Sequence, residues 1–138
     1  MKLFVDSGAW IALFDKSDKY HLRASQALRT LREQSTFLFT SDYILDETLT
    51  HLLYTTGRHV ALRFGHWALA TDYVEIARVD QEIWDSAWTM FQAYDDKAWA
   101  FTDCTSFVLM QRHNLWQAFA FDHHFAQMGF QLWPALPD

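Results

Sequence analysis

Lys2-Leu3-Phe4-Val5-Asp6-Ser7-Gly8-Ala9-Trp10 opens the chain, and its change of character at Asp6 decides how the rest is read. Lys2 to Val5 is a short apolar run of the kind that forms a buried parallel strand. Ser7 and Gly8 punctuate it, and Ala9 to Phe14 read as one short helix. A strand that delivers an aspartate into a turn and then a helix is the start of a βα unit. In sheets built from such units, ligands bind at the carboxyl ends of the strands.

The same alternation continues outward. Asp18 is placed to cap a helix running to Glu33, with Leu22, Ala24, Ala27, Leu28 and Leu31 on its apolar side. Residues 36–40 (TFLFT) read as a second strand. Ser41 then caps a third helix striped by Leu45, Leu49, Leu52 and Leu53. Gly57 ends that helix and residues 58–70 form another, apolar on one side through Val60, Phe64 and Trp67 and on the other through Leu62 and Leu69. Residues 73–77 (YVEIA) read as a strand and Asp80 starts a helix to Tyr94. Thr102 or Asp103 caps the next helix, to about His113, and its Phe107-Val108-Leu109-Met110 run is apolar nearly all round. Residues 117–121 are expected as a strand, 122–128 as a short helix and 131–133 as a final edge strand. The expected fold is α/β, a mainly parallel sheet covered by helices on both faces.

Composition narrows the class. The chain has 138 residues, 51% of them hydrophobic, and no Pro/Gly/Ser-rich linker, which fits one domain over 1–138. Charged residues or His interrupt every apolar run short of a membrane span, and the start lacks a signal-peptide pattern. Cys104 is the only cysteine, so no intrachain disulfide forms, and a cytoplasmic protein is the economical expectation. A net charge of −6 argues against a broad basic face for coating nucleic acid. It does not exclude a nuclease, because clustered catalytic acids enter that sum. Seven Trp and twelve Phe point to aromatic surface at an interface.

Four acids carry the chemistry: Asp6, Glu47 in SDYILDETLT, Asp103 in FTDCTSFVLM and Asp122 in AFAFDHHF. Each has an ordinary reading. Asp6 and Asp122 fit helix caps, Asp103 fits the positive end of a helix, and Glu47 fits a solvated face. Together, two strand-end aspartates and a helix-start aspartate fall on the same edge of one sheet. Carboxylates gathered there repel, and a divalent cation relieves the repulsion. All-oxygen donors select Mg²⁺ or Mn²⁺ over Zn²⁺, and such ions serve hydrolysis of phosphate esters. Ser7 and Thr102 are placed to hold water or carboxylates in position.

The strand with VDSGAW, the helix with DETLT, the TDCTSFVLM helix start and the AFDHHF segment, in that order and across almost the whole chain, resemble a PIN domain. That nuclease module occurs in VapC-type toxins of toxin–antitoxin pairs. The resemblance implies an α/β/α sandwich, with Asp6, Glu47, Asp103 and Asp122 as the acidic quartet around Mg²⁺ or Mn²⁺ and Ser7 and Thr102 as supporting residues. It further implies an endoribonuclease that cleaves single-stranded or structured RNA with metal-activated water, as the toxin of a type II pair inhibited by a cognate antitoxin. On this reading Asp6, Asp103 and Asp122 hold the metal, while Glu47 completes the set or positions the water. Asp46 precedes Glu47, and a slip of one residue would exchange them; Glu47 is favoured because Asp46 sits nearer the leucine stripe.

Other features rank lower. His123 and His124 point apart as neighbours and read as solvated. His59, Arg63 and His66 share a helix edge that is either solvated or meets an RNA backbone. Cys104 reads as a small buried residue. The two apolar sides of helix 58–70 suggest a homodimer. The rivals are a PIN-like scaffold that binds RNA or a protein partner without cleavage, and a phosphatase or DNA nuclease using the same carboxylate logic. A dehalogenase-type phosphatase would want Asp-x-Asp where this chain has Asp6-Ser7-Gly8.

Overall fold

The computed structural model describes residues 1–135, so residues 136–138 of the expected domain lie outside the description. Four of the five strands follow the apolar runs closely: β1 (Lys2–Val5), β2 (Phe37–Ser41), β3 (Val74–Ala77) and β5 (Gln131–Trp133). β4 (Gln117–Phe119) is shorter than the run that announces it, although the Ala120 N–H still donates to the Trp133 carbonyl of β5 at 3.2 Å. The helices are α1 (Ser7–Phe14), α2 (His21–Glu33), α3 (Asp42–Thr55), α4 (Arg58–Ala70), α5 (Gln81–Ala93), α6 (Phe101–Arg112) and α7 (His124–Gln127).

The strand order is β3-β2-β1-β4-β5, and every neighbouring pair is parallel. Strands buried on both faces have no polar side to spare, which is why they appear in the sequence as continuous apolar runs. The chain builds outward from β1 through β2 to β3, then returns to the other side of β1 to lay down β4 and β5. The reversal lies between β1 and β4. At such a switch point the two following helices diverge and leave a crevice at the strands' carboxyl ends. Asp6 sits at its lip, its N–H donating to the Phe119 carbonyl of β4 at 3.0 Å.

The core is aromatic. Phe4, Phe39, Phe119, Phe107 and Phe125 are fully buried, with Phe107 and Phe125 edge to face at 5.1 Å between centroids. Helix α6 buries every residue from Cys104 to Met110, as its all-round apolar pattern requires. Ser41 caps α3 by accepting the Ile44 N–H at 3.1 Å, and Asp80 caps α5 by accepting that of Ile83 at 2.9 Å.

Four local expectations need correction, the first being the helix expected over 122–128, which runs only from His124 to Gln127. Asp18 does not cap α2; its carboxylate accepts the Tyr20 N–H at 2.9 Å in a turn that ends before the helix starts at His21. Leu22 is 76% exposed and outside the core. Neither Thr102 nor Asp103 is the N-cap of α6. The helix starts at Phe101, and Asp103, in its first turn, reaches back to accept the Ala100 N–H at 2.9 Å.

Candidate active site

The site is built on Asp6. β1 delivers it to the switch point, and α1 begins immediately after, so its carbonyl accepts the N–H groups of Ala9 and Trp10 at 3.1 and 3.3 Å. Its carboxylate makes no capping hydrogen bond to α1. The side chain is instead enclosed, with the residue 4% exposed. Burial pushes its pKa well above the ordinary carboxylate range, and the charges of Asp122, Asp103 and Glu47 push the same way, against only the Ser7 N–H. A capping aspartate would be partnered and solvated. This one is buried among acids.

The other acids arrive from three different elements. Glu47 lies on the exposed side of α3, and the hydroxyl of Ser7, in the first turn of α1, donates to its carboxylate. It is Glu47 rather than Asp46 that makes this bond and acts on Asp6. Asp103 comes from the first turn of α6; burial raises its pKa, the Ala100 N–H and His124 oppose that, and Asp122 and Glu47 add to it. Asp122 stands in the turn between β4 and α7, where its Oδ1 accepts the His124 N–H at 2.9 Å.

His124, expected to be solvated, lies instead in the cluster. Its Nδ1 lies 3.1 Å from Asp103 Oδ2 and 3.9 Å from Asp122 Oδ1. The argument that neighbouring histidines point apart holds for the pair, yet one of the two still faces the site. The signal was the spacing itself. An aspartate commonly accepts the N–H two residues on, which turns the chain and brings residue 124 back beside the carboxylate. One oxygen of Asp103 and one of Asp122 are thus tied to N–H donors, as one oxygen of Glu47 is to Ser7. The remaining oxygens are left for a ligand.

Thr102 contributes its carbonyl, which accepts the hydroxyls of Thr105 and Ser106 at 2.7 and 3.0 Å and so steadies the first turn of α6. Its own hydroxyl has no protein partner among the described residues. Cys104 is fully buried, and burial together with Asp103 pushes its thiol up to about 11, which suits a packing residue. His59, Arg63 and His66 lie exposed on α4. None of them bonds to the four acids among the described residues, and Arg63 opens onto a separate cleft with Leu13, Phe14 and Trp67.

Oxygen-only donors, a buried acid destabilised by its neighbours and carboxylates with free oxygens together suit a hard divalent cation. The cage is not preassembled. Among the described residues no three His, Cys, Asp or Glu side chains already stand at metal-binding positions. No helix among those residues is long and apolar enough to cross a membrane.

Comparison with known proteins bears on the family and the fold. The family profile described as PIN domain matches residues 3–131. The chain is 30% identical over 128 residues to the 23S rRNA-specific endonuclease VapC20 of Mycobacterium tuberculosis, covering 93% of this chain and 95% of that protein. The crystal structure of that VapC20, described as a Sarcin-Ricin loop cleaving toxin, superposes with a TM-score of 0.84 at 29% identity, over 93% of this chain and 95% of the other. VapBC2 from Rickettsia felis, solved bound to a DNA fragment from its promoter, shares the fold with a TM-score of 0.69 at 11% identity, over 96% and 97% of the two chains.

Proposed function

The chain belongs to the PIN domain family, and from that membership we propose that it is a metal-dependent endoribonuclease, the toxin of a type II toxin–antitoxin pair. The observation that carries the reading is Asp6, a carboxyl buried at the β1–β4 switch point and facing three further acids from separate elements. A bare cluster of this kind destabilises its own fold, and a divalent cation is the group that balances it.

Asp6, Asp103 and Asp122 would hold Mg²⁺ or Mn²⁺, which supplies Lewis-acid activation of water and neutralises charge on the phosphate. Glu47, steadied by the Ser7 hydroxyl, orients the attacking water and accepts its proton. The water oxygen forms the new P–O bond as the bond to the leaving ribose oxygen breaks, and that oxygen takes a proton from solvent to leave as a hydroxyl. His124 keeps the Asp103 and Asp122 carboxylates in register. RNA cleavage by wild type and Asp6→Asn, with Mg²⁺ or Mn²⁺, tests this. Cleavage by wild type alone is expected; equal cleavage by both, or none by either across varied RNAs, counts against it.

A PIN scaffold that binds RNA or protein without cutting is the second reading, favoured by the absence of a preassembled cage among the described residues. Calorimetric titration with Mn²⁺ separates the two, because a pure binding module has no need of the ion. For partners, an acidic pocket offers a docking point to an Arg- or Lys-bearing antitoxin segment. Leu62 and Leu69, 44% and 67% exposed on α4, fit a homodimer. The same reading takes 1–138 as one cytoplasmic nuclease unit, with His59, Arg63 and His66 as RNA-backbone contacts.

A further inference from the structure

Beside the carboxylates the surface opens into a cleft of about 280 Å³, lined in part by Gly8, Lys19, Tyr20, His51, Phe121 and Asp122. Ligand pockets span about 300–1,000 Å³, and this cleft, at the small end of that scale, has room for a single small unit. Asp122 belongs to both the cleft and the acidic cluster. A phosphodiester seated at the cluster therefore has its neighbouring nucleoside at the cleft's mouth. One wall is aromatic, with the Tyr20 and Phe121 rings parallel within 5° at 4.5 Å between centroids. Gly8 keeps the floor open, since a Cβ there would meet nothing within 4 Å. The cleft also holds two side chains suited to phosphate in a chain of net charge −6: Lys19, exposed, and His51, one turn beyond Glu47 on α3. Lys19 Nζ rests 5.0 Å from the Tyr20 centroid, and its exposed, flexible stem can yield that ring to another occupant. Asp18, also in the lining, is engaged by the Tyr20 N–H and fixes the loop that presents the ring.

We infer that this cleft is a nucleoside subsite, taking the base next to the scissile phosphate against the Tyr20–Phe121 wall while Lys19 and His51 meet the flanking backbone phosphate. The subsite rests on the nuclease reading, so its test reads binding separately from cleavage. Short single-stranded oligoribonucleotides carry one abasic ribose at each position in turn. Their binding to wild type, Tyr20→Leu and Tyr20→Phe is followed by fluorescence anisotropy in EDTA, and their cleavage with Mn²⁺. One abasic position weakens wild-type binding about 5- to 150-fold, the range for a single stacked base. Tyr20→Leu removes that penalty at that position only, and Tyr20→Phe, which keeps the ring, retains it. A wild type without a position-specific penalty, or a penalty that survives Tyr20→Leu, overturns the subsite. Lys19→Glu, at an exposed position that does not endanger folding, weakens all the oligonucleotides alike and flattens the salt dependence by about one unit. Unchanged affinity and slope in that variant also overturn it. The penalty pattern without any cleavage by wild type defeats the nuclease reading and upholds the subsite. Cleavage with no penalty pattern does the reverse.

Discussion

Replacing Asp6 by Asn should make the metal-free protein more stable while abolishing its response to metal. The substitution preserves shape and removes a charge that is buried at 4% exposure and faces Asp122, Asp103 and Glu47. A single stabilising substitution commonly contributes about 0.5–2 kcal/mol. With roughly 2.1 cal/mol/K of unfolding entropy per residue, 138 residues give about 0.29 kcal/mol/K. The Asn variant should then melt roughly 2–7 °C above wild type in EDTA. Binding of Mn²⁺ at a hundred times its dissociation constant adds about 2.7 kcal/mol, or about 9 °C, to wild type. The variant should show little or none of that gain. Differential scanning fluorimetry in EDTA and across a Mn²⁺ series reads both effects. A variant that melts below wild type without metal, or gains as much from Mn²⁺, refutes the claim that Asp6 is a strained acid awaiting a cation.

The remaining expectations use the same geometry. Glu47→Gln should lower kcat for RNA cleavage by about a hundredfold or more, as loss of a group handling the water's proton does, whereas Asp46→Asn should stay within about threefold; similar losses in both would remove Glu47 from its assigned place. For His124, the Ala variant should weaken Mn²⁺ binding about 10- to 100-fold, the scale for groups that orient ligands, with His124→Gln recovering part of it; calorimetry showing wild-type affinity in the Ala variant would deny the histidine a positioning role. Asp6 and Asp103 are held above their ordinary range, so their protonation favours the fold at acidic pH, and that contribution fades as pH rises through the raised folded values. Metal-free protein should accordingly lose stability as pH rises above the ordinary carboxylate range while Mn²⁺ binding strengthens over the same interval; melting curves that run the other way without metal would contradict the burial of these acids.

The fold was legible because its central strands β1, β2 and β4 are largely buried on both faces. Phe4, Phe39 and Phe119 sit in runs with little polar alternation, and parallel order followed from the helices between them. Helix α4 appears with its expected bounds because Gly57, at φ 103, offers a backbone state that halts the preceding helix. Errors clustered where side chains bond to nearby backbone. Asp18 serves a turn rather than a cap, Asp103 reaches back from inside α6, and Asp122 folds its own turn before α7. Composition and periodicity are silent about such bonds, which depend on two or three local dihedral angles. The place of His124 depends on a local bond of the same kind, its N–H to Asp122. The nucleoside cleft needed the fold outright, since Tyr20 and Phe121 are a hundred residues apart in the chain and meet only once α2 and β4 are placed.

The most direct measurement is anomalous diffraction from a crystal soaked in Mn²⁺. A manganese peak bounded by the Asp6, Asp103 and Asp122 carboxylates, with Glu47 beside it, is the predicted result. Ordered carboxylates with no peak between them at saturating Mn²⁺, or manganese bound only elsewhere on the surface, would contradict it.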